Sequence, residues 1–452
     1  MKKRFLAASM AALMTASLTA CGGSSVETVA ETAASSANQA QTQAEAKTEG
    51  NASAADGEKV TLSLCWWGNQ TRNDWTKKTV DLYMSQNPNV EIKVEFTDWS
   101  GYWDKLSAMA AGGNLPDIIQ QDYSYINQYQ KSGQLADLTP FIQDGTIDTS
   151  KIPESIIESG TIDGKCYAIS LGSNAPMMAY DKAVVEEAGV TIPEQLTIDE
   201  LYDISKQIYE KTGVKTYFDG GFNMLQIVPR ARDSHLFDQL SKGDTTASKE
   251  HFANVDKFAK AEFSISPDLL AEKNPDVVET KPIIDGTTWN DYSFSNQFIS
   301  ISNAAGRELG ITMYPTMNHA ETQSMYLKPS QFFAIAETSK HKEEAAKFID
   351  WFTNSVECNE ILMAERGIPI NTEVAEAIKP KAEQVSQTVF DYIAKVGEIA
   401  TPMDAPDPAG KGEVEALVKT TVEALRYGDV TADQAADSFV AEAKRILDEA
   451  AK

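Results

Sequence analysis

What most constrains this chain is the order of its hydrophobic periods between Val60 and Gln120. Val60, Leu62, Leu64 and Trp66 alternate with polar or small residues, the period-two signature of a strand. Asn73 or Asp74 can then cap a helix that carries Trp75, Thr79, Leu82 and Tyr83 on one face and closes at Asn87-Pro88. Val90, Ile92, Val94 and Phe96 alternate again. Trp103, Leu106, Met109 and Ala110 return to helical spacing, which stops at Gly112-Gly113, and Leu115 to Gln120 reads as a third strand. A β-α-β-α-β succession implies a parallel sheet with right-handed crossovers, so the fold class is α/β.

The same alternation of signals continues. Thr197-Ile-Asp-Glu200 is a capping box ahead of Leu201, Ile204 and Ile208, with Gly213 as the stop. Ala345, Phe348, Ile349 and Phe352 share a helix face, and Thr431 with Gln434 opens a last helix carrying Phe439, Val440, Ala443 and Leu447. The length of 452 residues suffices for two or three domains. No internal repeat and no second low-complexity linker divides the body. Two α/β lobes joined by crossing strands fit that continuity.

The amino terminus places the protein outside the cytoplasm. Lys2, Lys3 and Arg4 precede an apolar stretch from Phe5 to Ala16, the charged and hydrophobic regions of an export signal spanning residues 1–20. Leu18-Thr19-Ala20-Cys21 resembles the bacterial lipobox, in which the cysteine becomes the lipidated first residue. Residues 21–57 then form a tether of Ala, Ser, Thr, Gln, Glu and Gly without an aromatic. Such a segment buries too little apolar surface to offset chain entropy, and its end-to-end distance is about 30–36 Å. The expected location is the outer face of a bacterial cytoplasmic membrane. Of the four cysteines, Cys65, Cys166 and Cys358 are expected as buried thiols.

Charge and motifs exclude several function classes. The 40 basic and 66 acidic residues leave a net charge of −26, which repels phosphate backbones and argues against a nucleic-acid partner. HExxH, GxSxG and an EF-hand loop are absent, and the four histidines show no ligand spacing, so neither a metal nor a cofactor is expected. Gly160-Thr-Ile-Asp-Gly164-Lys165 is one residue short of a phosphate-binding loop. A glycan-cleaving enzyme stays open as an alternative, because nothing singles out or rules out a pair among the acids.

Binding residues stand out more clearly. Trp66 and Trp67 end the first strand, Trp99 and Tyr102 follow the second, and Asp122 and Tyr123 follow the third. In an open α/β sheet the ligand crevice lies beyond the carboxyl ends of the strands. Aromatic faces suit the C–H face of a sugar ring, and carboxylates or amides suit its hydroxyls. A second cluster of the same composition runs from Thr287 to Gln297. Arg72 and Arg366 are the cations expected to meet a negatively charged ligand.

With these residues in view, the chain from about Val60 onward resembles the family 1 extracellular solute-binding lipoproteins of bacterial ABC importers for oligosaccharides. The resemblance is carried by Cys65-Trp-Trp-Gly68 with Arg72, Asp98-Trp-Ser-Gly-Tyr-Trp-Asp-Lys-Leu106 and Ala111-Gly-Gly-Asn-Leu-Pro-Asp-Ile118 with Gln121-Asp-Tyr123. Asp163-Gly-Lys-Cys-Tyr-Ala168 resembles the family's interlobe crossing, and Trp289-Asn290, Ser295-Asn-Gln297, Leu327-Lys-Pro-Ser-Gln331 and Glu365-Arg-Gly-Ile-Pro369 follow. The combination is most similar to a subgroup associated with pectin-derived oligosaccharides, although Asn69 and Ser170 depart from its pattern.

The resemblance implies a two-lobed, periplasmic-binding-protein-like fold with a hinge and an interlobe ligand cleft. Its expected partition is 58–168 with 284–334 in lobe 1 and 169–283 with 335–452 in lobe 2. It further implies that Asn174, Trp289, Asn290, Asn296 and Arg366 face the cleft. The implied partners are an oligosaccharide, the transmembrane subunits of an ABC permease, and the membrane through a lipid on Cys21. The implied protein is a monomer that binds and does not catalyse. A receptor that presents its sugar to a sensor protein is a further alternative.

Overall fold

The computed structural model describes residues 59–451 apart from 69, 276 and 406. The export signal, Cys21 and the tether lie outside the described residues, as does Asn69.

The opening unit forms as its periodicity dictates. β1 (Val60–Trp67) lies between β2 (Val90–Thr97) and β3 (Ile118–Gln121) and pairs in parallel with both, Val60 opposite Val90 and Leu64 opposite Ile118. Side chains alternate across a strand, so Leu62, Leu64 and Trp66 enter the main core while Cys65 and Trp67 join a second apolar cluster on the other face. Each such side chain contributes about 1.5–3 kcal/mol when fully buried. The first helix runs Gln70–Gln86 and so starts ahead of the caps expected at Asn73 or Asp74. Asn73 is instead buried inside it and accepts a hydrogen bond from Trp66 Nε1 at 2.8 Å.

Nine further strands complete the sheets. β4 (Thr161–Ile162) and β5 (Lys165–Cys166) form a hairpin; β6 (Ile169–Ser170), β7 (Ser173–Asn174) and β8 (Pro176–Asp181) follow closely. After a long helical insertion come β9 (Asn290–Phe294), β10 (Leu309–Met313), β11 (Lys328–Pro329) and β12 (Phe332–Ile335). Of the four sheets among the described residues, the two larger have the orders β2-β1-β3-β12-β6 and β10-β8-β9 and are the cores of two α/β lobes, while β4-β5 and β7-β11 are two-stranded. Both expected capping boxes, Thr197 with Glu200 and Thr431 with Gln434, are formed. Ala345, Phe348, Ile349 and Phe352 all face inward from the helix Lys342–Asn354.

Strand pairing corrects the expected partition of the chain. β9 and β10 both pair antiparallel to β8, so residues 284–326 belong to lobe 2. β12 pairs with β3 and β6, and the helix Lys342–Asn354 packs Phe348 and Trp351 against Tyr83, each with ring centroids 5.0 Å apart, so residues 332–354 lie in lobe 1, while the later helices Gln384–Ile399, Lys411–Tyr427 and Ala432–Ala450 pack on lobe 2, where that part of the chain was expected. The first crossing also falls later than Asp163–Ala168, most of which forms the β4-β5 hairpin. Lobe switching occurs between β6 and β8, where β7 lies beside β11 of the returning strand, Asn174 opposite Lys328 and Ser173 opposite Pro329.

A third segment locks onto this pair. Ser173 bridges to Ile368, and the Arg366 carbonyl accepts from Gln331 Nε2 at 3.0 Å and from Ser330 Oγ. Gly172 packs directly on that carbonyl: a Cβ there would stand 2.2 Å from Arg366 O. Gly172→Ala should therefore cost about 1–3 kcal/mol, as overpacking of a rigid site does, read as a lowered urea midpoint. An unchanged midpoint would mean that the hinge backbone yields freely at this point.

Candidate functional site

The three strand ends of lobe 1 do gather the expected aromatics, but few of them present a face. Trp66 is 0% exposed and stacks on Phe96. It is a core residue, because its alternation places it on the main-core face, and this corrects its assignment to the ligand. Trp67 is enclosed by Trp99, Tyr102 and Trp103, with ring centroids 5.0–5.4 Å away. Trp99 alone among the strand-end tryptophans is open, at 44% exposure. The half-buried Asp122 caps the helix Tyr123–Lys131 by accepting from Ser124 N at 2.9 Å. Tyr123 is buried against Phe332 and donates its hydroxyl to the Asp404 carbonyl.

Both expected cations are engaged by protein groups. Arg72 Nε donates to both Glu365 carboxylate oxygens at 3.0 Å. Arg366 is 1% exposed; its guanidinium donates to Gln120 Oε1 at 2.7 Å and Thr76 Oγ1 at 2.9 Å and lies over Phe333 and Phe352. Burial, with the Arg72 charge beside it, brings Arg366 down to about 9. Its side chain anchors the hinge in lobe 1, so the expectation that it contacts ligand is corrected.

The second sequence cluster is closer to a cavity of about 910 Å³ in lobe 2, within the range of natural ligand sites. The residues that line it are neighbours of those expected. Trp289 is 0% exposed and donates to Thr216 Oγ1 at 2.7 Å, and Asn290 is 0% exposed and clasps the Tyr217 backbone at 2.9–3.0 Å. Both brace the wall from behind, which corrects their placement in the cleft. Asn296 is exposed outside the lining, and the half-buried Asn174 sits in the β7-β11 hinge pair. Tyr292, Ser293, Phe294 and Gln297 face the cavity instead. Phe294 ends β9 opposite Pro176, beside the hinge, with Lys328 Nζ 5.0 Å from its ring.

The opposite walls come from residues that the sequence reading passed over. Tyr217, Asp219, Phe222 and Asn223 enter from the start of the helix Phe222–Arg230, and Tyr314 follows β10. The run Tyr217-Phe-Asp-Gly-Gly-Phe-Asn223 has the same mixture of aromatics, amide and acid as 287–297, and that composition was the available signal. Helix Lys411–Tyr427 contributes Glu415, Lys419, Glu423 and Arg426.

Electrostatically the cavity is balanced. Lys281 lies in the wall, 3.0 Å from the Asp291 carboxylate behind it. Burial raises Asp291 to about 6 despite Lys281. Burial likewise raises Asp219, which accepts from Gly221 N at 2.8 Å and Tyr314 Oη at 3.1 Å. The ionisable side chains lining the cavity are three carboxylates, Asp219, Glu415 and Glu423, against three cations, Lys281, Lys419 and Arg426, apart from the weakly acidic tyrosines. Among the described residues no group of His, Cys, Asp and Glu has the arrangement of a metal site. Cys65, Cys166 and Cys358 are buried free thiols, and burial raises Cys65 and Cys166 to about 12.

Comparison with known proteins agrees with this architecture. Residues 78–387 match the family model described as bacterial extracellular solute-binding protein. The diacetylchitobiose binding protein DasA of Streptomyces coelicolor is 28% identical over 182 residues, 40% of this chain and 41% of that protein. The match thus spans less than half of that relative's length. The maltodextrin-binding protein MdxE of Bacillus subtilis is 21% identical, over 78% of this chain and 82% of its own. A solved structure of an extracellular solute-binding protein family 1 from Alicyclobacillus acidocaldarius has a TM-score of 0.79 at 27% identity, covering 87% of this chain and 99% of that one.

The loop that carries Asp219 is held by a buried histidine. His251 Nε2 lies 2.9 Å from the Gly220 carbonyl, and burial, with the Arg426 charge, lowers the ring to about 4. The unfolded chain takes this proton near the ordinary value of 6.5 while the folded chain resists to about 4, so stability falls as pH drops across that window. Asp291, raised to about 6, acts with the opposite sign. Urea midpoints of wild type and His251→Gln across the window separate the two: the variant should lose less stability on acidification. Parallel curves would contradict a neutral buried His251.

Proposed function

Because the chain belongs to the bacterial extracellular solute-binding protein family, we propose that it is the substrate-binding component of an ABC importer for oligosaccharides. It captures its ligand beside the hinge, and lobe movement about that hinge delivers the sugar to the transmembrane subunits of a permease. It works as a monomer at the outer face of the cytoplasmic membrane, tethered by a lipid on Cys21. The observation that carries the reading is the lobe 2 cavity, where aromatic side chains stand beside amides and charged groups of both signs. The half-buried Phe294 offers a ring face, Asn223 and Gln297 donate and accept, and Asp219 accepts hydroxyls. The sugar binding named for DasA and MdxE supports the same ligand class.

The balanced walls put a neutral oligosaccharide first. A pectin-derived ligand with uronates is the second reading, and what favours it is Lys281, Lys419 and Arg426. Against them stand Asp219, Glu415 and Glu423, so a uronate brings an excess of negative charge into a partly desolvated space. Arg72 and Arg366, which are engaged by protein groups, do not relieve it.

Calorimetry of the protein against neutral and uronate-bearing oligosaccharides tests this. One-to-one binding without shortened products is expected, with an affinity nearly independent of salt. Phe294→Ala should weaken it about tenfold, the loss of one good ring contact. Uronate selectivity with steep salt dependence would establish the second reading, shortened products the enzyme, and silence from every glycan would overturn the sugar assignment.

A further inference from the structure

One residue away from the hinge holds both lobes at once. Between the helices Gln384–Ile399 and Lys411–Tyr427 the chain runs as an irregular strap. Its anchor on lobe 2 is Arg230, 4% exposed, at the end of the helix Phe222–Arg230. Arg230 donates to Thr401 Oγ1 at 2.6 Å, to the Pro402 carbonyl at 2.8 Å, to the Ser324 carbonyl at 3.0 Å and to the Asp404 carboxylate. Its guanidinium lies 4.7 Å from the centre of the Tyr326 ring, Thr401 N donates to the Met325 carbonyl at 3.0 Å, and His235 Nδ1 lies 2.8 Å from the Asp404 carboxylate.

The strap reaches lobe 1 through two neighbouring residues. Tyr123, on lobe 1, donates its hydroxyl to the Asp404 backbone carbonyl, and Met403 packs against the aromatic cluster of lobe 1 as well as the main core. Asp404 thus gives its carboxylate to lobe 2 and its carbonyl to lobe 1. This contact lies apart in sequence from β7, β11 and Ile368, so it is an additional tie between the lobes. The strap is also continuous with the cavity. The helix that ends in Arg230 begins with Phe222 and Asn223 in the cavity wall, and the helix that follows the strap supplies Glu415 and Lys419. Lys411, first residue of that helix, sets its Nζ 5.2 Å from the Phe222 ring.

We propose that Thr401–Asp404 is a latch between the lobes, closed by the Tyr123 hydroxyl and linked to the cavity through the helix anchored by Arg230. Its effect on sugar affinity rests on the function proposed above; its effect on lobe opening does not. A hydrogen bond of ordinary net worth moves a two-state opening equilibrium by about fivefold. Tyr123→Phe removes that bond and leaves the ring against Phe332.

The test is the distance distribution between spin labels on the exposed positions of Glu91→Cys in lobe 1 and Glu210→Cys in lobe 2, in ligand-free protein. Cys21 is replaced by Ser in these variants and the native thiols at 65, 166 and 358 are buried, so labelling is confined to the introduced sites. Tyr123→Phe should raise the open-to-closed ratio about fivefold with little change in urea midpoint, and Asp404→Asn, which loosens the strap from Arg230, should shift it the same way. A distribution unmoved by Tyr123→Phe overturns the latch, whatever Asp404→Asn does. The readout needs no sugar, so failure of the sugar reading would appear separately, as absent binding in wild type and variant alike.

Discussion

The relation between the two lobes depends on one backbone carbonyl, that of Arg366. It accepts from Ser330 and Gln331, between β11 and β12 of the returning chain, and lies against Gly172 of the outgoing crossing, so three segments distant in sequence meet at one oxygen. Gly367, with φ at +96°, turns the chain immediately afterward, and Ile368 then pairs with Ser173. The side chain of the same residue goes the other way, into lobe 1, where Gln120 and Thr76 satisfy two of its nitrogens and Phe333 and Phe352 flank it. A buried guanidinium is costly to desolvate, and removing its partners leaves that cost uncompensated. The junction is therefore rigid where its bonds converge, and lobe motion has to be taken up by the short segments on either side.

That rigidity bears on how the cavity works. Its walls come from lobe 2, and the buried groups behind them fix them: Trp289 on Thr216, Asn290 on the Tyr217 backbone, His251 on Gly220, Asp291 on Lys281. Preorganised walls lower the ordering cost of binding. A chain with net charge −26 nonetheless lines this space with equal numbers of lysine or arginine cations and carboxylates, so its acidity resides elsewhere. Alternating donors and acceptors of both charges suit hydroxyl-rich ligands, which offer both roles at every position.

The fold was legible where periodicity was strong. Three strands, their parallel pairing, two capping boxes and the inward face of Ala345, Phe348, Ile349 and Phe352 followed from spacing alone. The lobe boundaries were not, because membership is decided by which strand β9, β10 and β12 pair with, and hydrophobic period carries no record of a partner. The site was legible as composition and less so as residues. The stretch 287–297 does reach the cavity, but Trp289 and Asn290, at its start, are taken up by Thr216 and the Tyr217 backbone, while Tyr292 to Phe294 and Gln297, nearer the hinge, line the space. Arg72 and Arg366 looked like ligand cations because their partners, Glu365 and Gln120, lie far away in sequence. Asp219 and Lys281 stayed hidden for the same reason: each matters through neighbours that only the fold supplies.

Backbone hydrogen exchange with and without a bound glycan reports whether the ligand occupies the lobe 2 cavity beside the Arg366 hinge. Slowed exchange is expected at 217–223, at 290–297 and along 412–423, together with changes at the β7 and β11 crossings. Protection confined to the lobe 1 aromatic face around Trp67, Trp99 and Tyr125, with the cavity segments unchanged, would contradict it.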